Sequence, residues 1–197
     1  MTPVKLIGLA GTAGAGKDTA ANLLCKMFNM QNLSTSEVLR ALTRYMYNVP
    51  ATYNPVRDQL FQVGTYIRTE VNPSTLVKLC ILQAEVLHLE RAIITGLRSV
   101  GEAEAVRAAG GIIVAVDAEA HVRYNRMLAR ARDADAQKSL EEFMEQDRIE
   151  NRGVSDSGPG RGIQSIIDGA DVVIVNNTDI EALQLELKNK VLPLLQA

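Results

Sequence analysis

The residues best suited to chemistry form one stretch, Gly11-Thr12-Ala13-Gly14-Ala15-Gly16-Lys17-Asp18-Thr19. It follows the apolar run from Val4 to Ala10 and opens a helix-like segment from Lys17 to about Phe28. Gly11, Gly14 and Gly16 permit close backbone approach and positive φ, while successive N–H groups at a helix start form a concavity for anions. Lys17 then reaches the outer phosphates of a bound nucleoside triphosphate. Gly11, Ala13, Gly14, Ala15, Gly16, Lys17, Asp18 and Thr19 are therefore the expected ATP site. One letter departs from the usual pattern: Asp18 stands where Ser or Thr ordinarily ligates magnesium, and a threonine follows one residue later.

Such a loop needs a sheet to hold it. Apolar runs rich in Val and Ile recur at Val4 to Ala10, Ala92 to Thr95, Gly111 to Val116 and Ala170 to Val175, with a shorter candidate near Asn29 to Ser34. The segments between them are long enough for helical crossovers, which predicts a parallel α/β sheet of five strands. A helix is expected from Ser34 to about Tyr47, another across Val71 to Leu89, and a last one from Ile180 to Leu195. The Gly- and Ser-rich stretch from Gly153 to Gly162 reads as a connector or hinge. At 197 residues the whole chain, 1–197, is expected to be one domain.

Bulk properties exclude more than they assign. Lys and Arg total 21 against 23 acidic residues, so a net charge of -2 gives no general case for binding nucleic acid or membranes. No apolar run approaches the length of a bilayer span. Cys25 and Cys80 sit in helix-like apolar surroundings without metal-ligand spacing, which predicts buried reduced thiols and suits a cytoplasmic location. His88 and His121 read as structural or surface residues.

Arginines mark the remaining chemistry. Arg57, Gly64 and Arg68 can lie near one another on a helix where Leu60, Val63 and Ile67 form the apolar face. Arg98 follows the strand Ala92 to Thr95, at the strand end where open α/β sheets bind ligands. Arg126 and Arg130, four apart, face one way and can clamp a transferring phosphoryl group. Arg123 and Arg132 share that basic helix, and Arg148 and Arg152 follow as weaker candidates.

These segments also carry a resemblance. Ser34-Thr35-Ser36-Glu37-Val38-Leu39-Arg40 resembles the Ser-Thr-Gly-Asp-Leu-Leu-Arg segment of adenylate kinase and related nucleoside monophosphate kinases. Arg57 to Arg68 is similar to the Arg-x-x-Leu-x-x-x-Gly-Thr-x-x-Arg stretch of deoxynucleotide monophosphate kinases, and Gly96-Leu97-Arg98-Ser99 to a motif of archaeal adenylate-kinase-like and dephospho-CoA-kinase-like proteins. Arg126-Met127-Leu128-Ala129-Arg130 resembles the start of the kinase lid.

The resemblance implies a three-layer P-loop fold with strand order 2-3-1-4-5, an acceptor-binding segment over about 34–90 and a lid over about 126–152. It implies transfer of the γ-phosphoryl group of ATP to a nucleoside or deoxynucleoside monophosphate. Dephospho-CoA kinase, or a regulatory P-loop ATPase without a small-molecule acceptor, stays open beside that reading. Lys17, Arg98, Arg126 and Arg130 take the catalytic roles. Thr35, Arg40, Arg68, Arg98 and Glu102 take the acceptor, with Glu102 standing where adenylate kinase reads adenine with glutamine. Arg126 also belongs to the ATP site, and the backbone of the loop near Asn177 and Thr178 packs against the donor base. Thr95 replaces the family's strand-end aspartate, so a swapped pair is expected in which Asp18 holds Mg2+ or its waters and Thr95 hydrogen-bonds Asp18. The partner is then a small-molecule nucleotide, with no nucleic acid or membrane, and the chain is expected to act as a monomer or homodimer.

Overall fold

The parallel sheet forms as the apolar runs require. In the computed structural model, which describes residues 5–129, 139–152 and 162–196, the strands are β1 (Lys5–Gly11), β2 (Gln31–Ser34), β3 (Arg91–Thr95), β4 (Ile112–Asp117) and β5 (Val172–Val175). They pair in the order β2-β3-β1-β4-β5, all parallel. Register aligns their ends: Leu9 pairs with Thr95, Ser34 with Thr95, Gly11 with Val116 and Asp117 with Val175. The segments that follow the strands therefore leave from one edge of the sheet, where open α/β folds bind ligands.

Helices cover both faces. On one, α1 (Lys17–Phe28) and α9 (Ile180–Gln196) pack Leu24, Leu183 and Leu187 against Ile7, Leu9, Val114 and Ile174. On the other, α4 (Thr75–Val86), α5 (Val100–Ala108) and α8 (Ile163–Asp168) bring Val77, Cys80, Val106 and Ile166 onto Leu6, Ile94 and Ile113. β1, β3, β4 and β5 are largely apolar because both sides of the sheet are covered there, whereas the edge strand β2 exposes Gln31 and Asn32.

Between β2 and β3 the chain forms α2 (Thr35–Met46) and α3 (Arg57–Tyr66) before α4. The helix expected across Val71 to Leu89 is shorter than that pattern implies. Asn72 Oδ1 accepts from the Ser74 N–H at 2.9 Å, a local turn that stops the preceding helix, and Pro73 lacks a donor to continue it. Residues Ile67–Val71 instead make a π-helical turn that prolongs α3, with Asn72 N–H reaching back to the Ile67 carbonyl at 2.9 Å. Val63 and Ile67 bury against Leu76, Leu39 and Leu42, which fixes this segment to α2 and α4. After β4 come α6 (Ala120–Ala129) and α7 (Leu140–Arg152). Arg130, Arg132 and most of the Gly153 to Gly162 stretch lie outside the described residues, as does the side chain of Arg152.

Candidate active site

The phosphate loop connects β1 to α1 as its spacing predicts. Gly11 has φ +148, and a Cβ there would lie 2.0 Å from the Val116 carbonyl oxygen, so no other residue fits this exit from the sheet. The first helical bond runs from Ala20 N–H to the Gly16 carbonyl at 2.9 Å, which leaves the amides of Lys17, Asp18 and Thr19 ahead of it to face an anion. Lys17 Nζ donates to the Thr12 carbonyl at 2.7 Å and so lies back over its own loop. Thr12 Oγ1 donates to Asp117 Oδ1 at 2.9 Å, pinning the loop to the end of β4.

Two further anchors were not among the residues singled out for the ATP site. Asn176, 5% exposed after β5, donates from Nδ2 to the Ala15 carbonyl at 2.8 Å. Arg123, also 5% exposed, donates to the carbonyls of Ala118 at 2.8 Å and Ala13 at 3.3 Å. Its Nη2 reaches Asp147 Oδ2 at 2.6 Å, with Nη1 on the other carboxylate oxygen, and its guanidinium lies 5.5 Å from the Phe143 ring centroid. Arg123 thus joins α6, α7 and the phosphate loop. Its sequence signal was the basic cluster around Arg126; that of Asn176 was its place as the asparagine closing the run Ala170-Asp171-Val172-Val173-Ile174-Val175-Asn176.

Arg126 points to the β5–α9 loop. It donates to the carbonyls of Asn176 at 2.7 Å and Thr178 at 3.0 Å. Asn177 faces the other way, exchanging bonds with the Glu119 amide at 2.8 Å and carboxylate at 2.9 Å.

Asp18 is exposed in the first turn of α1 and makes no side-chain hydrogen bond or ion pair among the described residues. Thr95 corrects the expected pairing. Its hydroxyl donates to Asn32 Oδ1 at 3.0 Å, and a hydroxyl has only one proton to give, so the Thr95-to-Asp18 bond is not formed.

Residues between Thr35 and Leu76, with Arg98, line a cavity of about 500 Å³ at the same end of the sheet. Arg40, Arg57, Arg68 and Arg98 line it together with Thr35, Ser36, Asp58 and Thr65, over an apolar floor of Leu39, Leu60, Phe61 and Leu76. Thr35 Oγ1 donates to the Gly96 carbonyl at 3.0 Å, and a Cβ at Gly96, φ +91, would sit 2.4 Å from that oxygen. Only glycine lets the β3 exit approach α2 this closely. Arg40 is held by Glu37 at 3.4 Å and Asn54 at 3.2 Å.

Glu102 departs from its expected place. It is fully buried, its oxygens engaged by the backbone amides of Arg98 and Ser99 and by Arg68, so it stands behind the arginines instead of contacting the acceptor base. Nearby Cys80 is held as a neutral thiol, its pKa pushed up to about 12 first by burial and then by the negative charge of Glu102. Cys25, half-buried, is also raised by burial.

Parallel sheet, strand order and phosphate loop together define the fold of P-loop kinases. The chain belongs to the AAA domain family, whose family model matches residues 7–153. Among solved structures it is similar to TT1252 from Thermus thermophilus, with 20% identity, 97% of this chain and 98% of that one covered, and a TM-score of 0.58. It is similar to shikimate kinase from Bacteroides thetaiotaomicron, at 18% identity, 95% and 98% coverage and a TM-score of 0.57. A gluconokinase from Sinorhizobium meliloti matches at 11% identity, 98% and 94% coverage and a TM-score of 0.51. These likenesses are of fold. No match is found among curated proteins.

Proposed function

We propose that the protein is an ATP-dependent phosphotransferase that moves the γ-phosphoryl group to a nucleoside or deoxynucleoside monophosphate. The observation that carries this reading is the cavity lined by four arginines: Arg40 on α2, Arg57 on α3, Arg68 on the π-helical turn and Arg98 on the exit from β3, the strand next to β1 and its phosphate loop. Its volume of about 500 Å³ falls in the range of small-molecule sites. The arginines suit a phosphate, and the apolar floor suits a flat base. Fold neighbours named as shikimate kinase and gluconokinase support a small-molecule kinase in general, while so much positive charge favours an acceptor that is already phosphorylated.

In that reaction an oxygen of the acceptor phosphate attacks the γ-phosphorus, the bond to the bridging β–γ oxygen breaks, and ADP leaves. The attacking oxygen is already an anion, so no protein base is required. The chain's work is alignment and charge. Lys17 and the amides at the start of α1 take charge from the donor phosphates, and Arg98 meets the acceptor phosphate as it approaches. Arg126 fixes the loop beside the donor base, and Arg123 holds the phosphate loop to α6 and α7. Arg130 is proposed to join the transferring group from outside the described residues. The donor set fits Mg2+: Asp18 offers an uncommitted carboxylate beside the phosphate loop, and Mg2+ takes its other ligands from water and substrate phosphates. An ion held there would supply positive charge against the phosphate oxygens.

Dephospho-CoA remains the second reading, because Asp58 is a lining carboxylate able to accept a hydroxyl proton. ADP release measured by a coupled assay, with ATP and a panel of ribo- and deoxyribonucleoside monophosphates and dephospho-CoA, decides between them. ADP formation that is independent of every acceptor would overturn the proposal in favour of an ATPase.

A further inference from the structure

Glu102 does more than its local motif requires. As the third residue of α5 it completes a capping box with Ser99: its amide donates to Ser99 Oγ at 3.3 Å and its Oε2 accepts from the Ser99 N–H at 3.2 Å. Glutamine serves a capping box equally well, because one side-chain oxygen is enough. Here three donors converge. The Arg98 N–H donates to Oε2 at 2.6 Å, and Arg68 Nε donates to Oε1 at 3.2 Å. An amide offers one acceptor oxygen and a donating NH2, so glutamine would set donor against donor on one side or the other. Only a carboxylate satisfies all three. Glu102 is 0% exposed and the Arg68 side chain 13%, so the charge pair is withdrawn from water, an expensive arrangement for a helix cap that could be solvated.

The donors belong to the two sides of the cavity. Arg68 lies on the π-helical turn after α3, and Arg98 on the exit from β3; both side chains line the cavity. Arg68 Nη1 donates to the Gly64 carbonyl at 3.1 Å, so with Nε on Glu102 the guanidinium plane is fixed. Nη2 is the nitrogen of Arg68 without an internal partner among the described residues.

We propose that Glu102 is the positioning residue of the acceptor site, its carboxylate tying Arg68 to the Arg98 backbone so that both arginines meet the acceptor phosphate as a preset pair. This rests on the phosphotransferase reading. It also explains why a carboxylate stands at a position from which it does not touch the acceptor: its ligands are the residues that do.

The test compares wild type, Glu102→Gln, Arg68→Ala and the double variant by KM for acceptor, KM for ATP, and the Arg Nε–H signals in 15N NMR. Losing the partner of a charged hydrogen bond predicts an acceptor KM about 10- to 100-fold higher in Glu102→Gln. KM for ATP should hold within about twofold, because the uniform binding lost is that of the acceptor alone. Arg68→Ala should do the same, and Glu102→Gln should add little in its presence, since both act through one pair. The slowly exchanging Arg68 Nε–H signal of wild type should be lost in Glu102→Gln. An unchanged acceptor KM, an equal rise for ATP, or multiplying effects in the double variant overturns the proposal. If Glu102→Gln does not fold, Arg68→Lys takes its place: it keeps the charge without the fork, and an acceptor KM left at the wild-type value overturns the proposal. Failure of wild type to phosphorylate any nucleotide refutes the phosphotransferase reading instead. Inorganic phosphate is then titrated against the Arg68 signal; perturbation in wild type but not in Glu102→Gln supports the positioning role, and equal perturbation or none overturns it.

Discussion

Removing Asn176 should damage the donor site more than removing Asn177. In Asn176→Ala the Ala15 carbonyl loses its 2.8 Å bond from Nδ2, and Arg126 loses a long contact to Oδ1 at 3.4 Å. Arg126 keeps the Asn176 backbone carbonyl at 2.7 Å, so the loss concentrates on the phosphate loop. A buried carbonyl left without its donor costs about 1–3 kcal/mol. At about 2 kcal/mol and this chain length the melting temperature should fall by about 4–8 °C. Whatever part of that loss is also felt as looseness in the loop raises KM for ATP, by about tenfold for each 1.4 kcal/mol. Asn176→Asp should be worse, since it aims a carboxylate oxygen at a carbonyl. Asn177→Ala breaks only an exposed exchange with Glu119 and should cost under about 1 kcal/mol. Thermal unfolding and KM for ATP measure both. An Asn176→Ala protein that melts within about 1 °C of wild type with an unchanged KM would refute the reasoning, as would a larger effect from Asn177→Ala.

Gly11→Ala should abolish folding or ATP binding, because its Cβ would lie 2.0 Å from the Val116 carbonyl; circular dichroism and nucleotide binding check this. Asp18→Ala should weaken the magnesium dependence of turnover, shifting the Mg2+ concentration for half-maximal rate upward by about tenfold or more, measured by titrating Mg2+ at fixed ATP. Cys80 predicts a pH effect. Its folded pKa of about 12 lies above the ordinary 9.0, so the folded state holds its proton while the unfolded state loses it. Stability is therefore intact below about pH 9 and falls between about pH 9 and 12. Urea unfolding across that window should show a shallower decline in Cys80→Ala.

The strands other than β2 were legible because burial on both faces leaves apolar runs and the phosphate loop identifies β1, whereas the strand order was implied by the family resemblance. Helix α1 begins and ends at Lys17 and Phe28 as its letters imply. The arginines of the cavity were legible as types, since phosphate recognition calls for them, and Arg40, Arg68 and Arg98 do line one space. What could not be read was who holds whom. A threonine at 95 looks equally able to serve Asp18 or Asn32, and only the strand register decides that Asn32 receives its proton. Glu102 carries the pattern of an exposed helix start, yet it is buried, with two local amides and Arg68 from a distant segment converging on it. Asn176 and Asn177 are the same residue type in consecutive positions, and the strand's alternation sends one inward and the other out.

The crossover from β2 to β3 leaves the sheet at Ser34 and returns at Arg91, and it supplies most of the cavity's lining residues. The donor loop is built separately, from β1, α1 and the ends of β4 and β5. Substitutions confined to the crossover's lining residues therefore leave the phosphate loop's own contacts intact. Arg98 and Glu102 are the exceptions, lying past Arg91, so any change of the cavity's chemistry made within the crossover alone has to work with two residues the crossover does not contain.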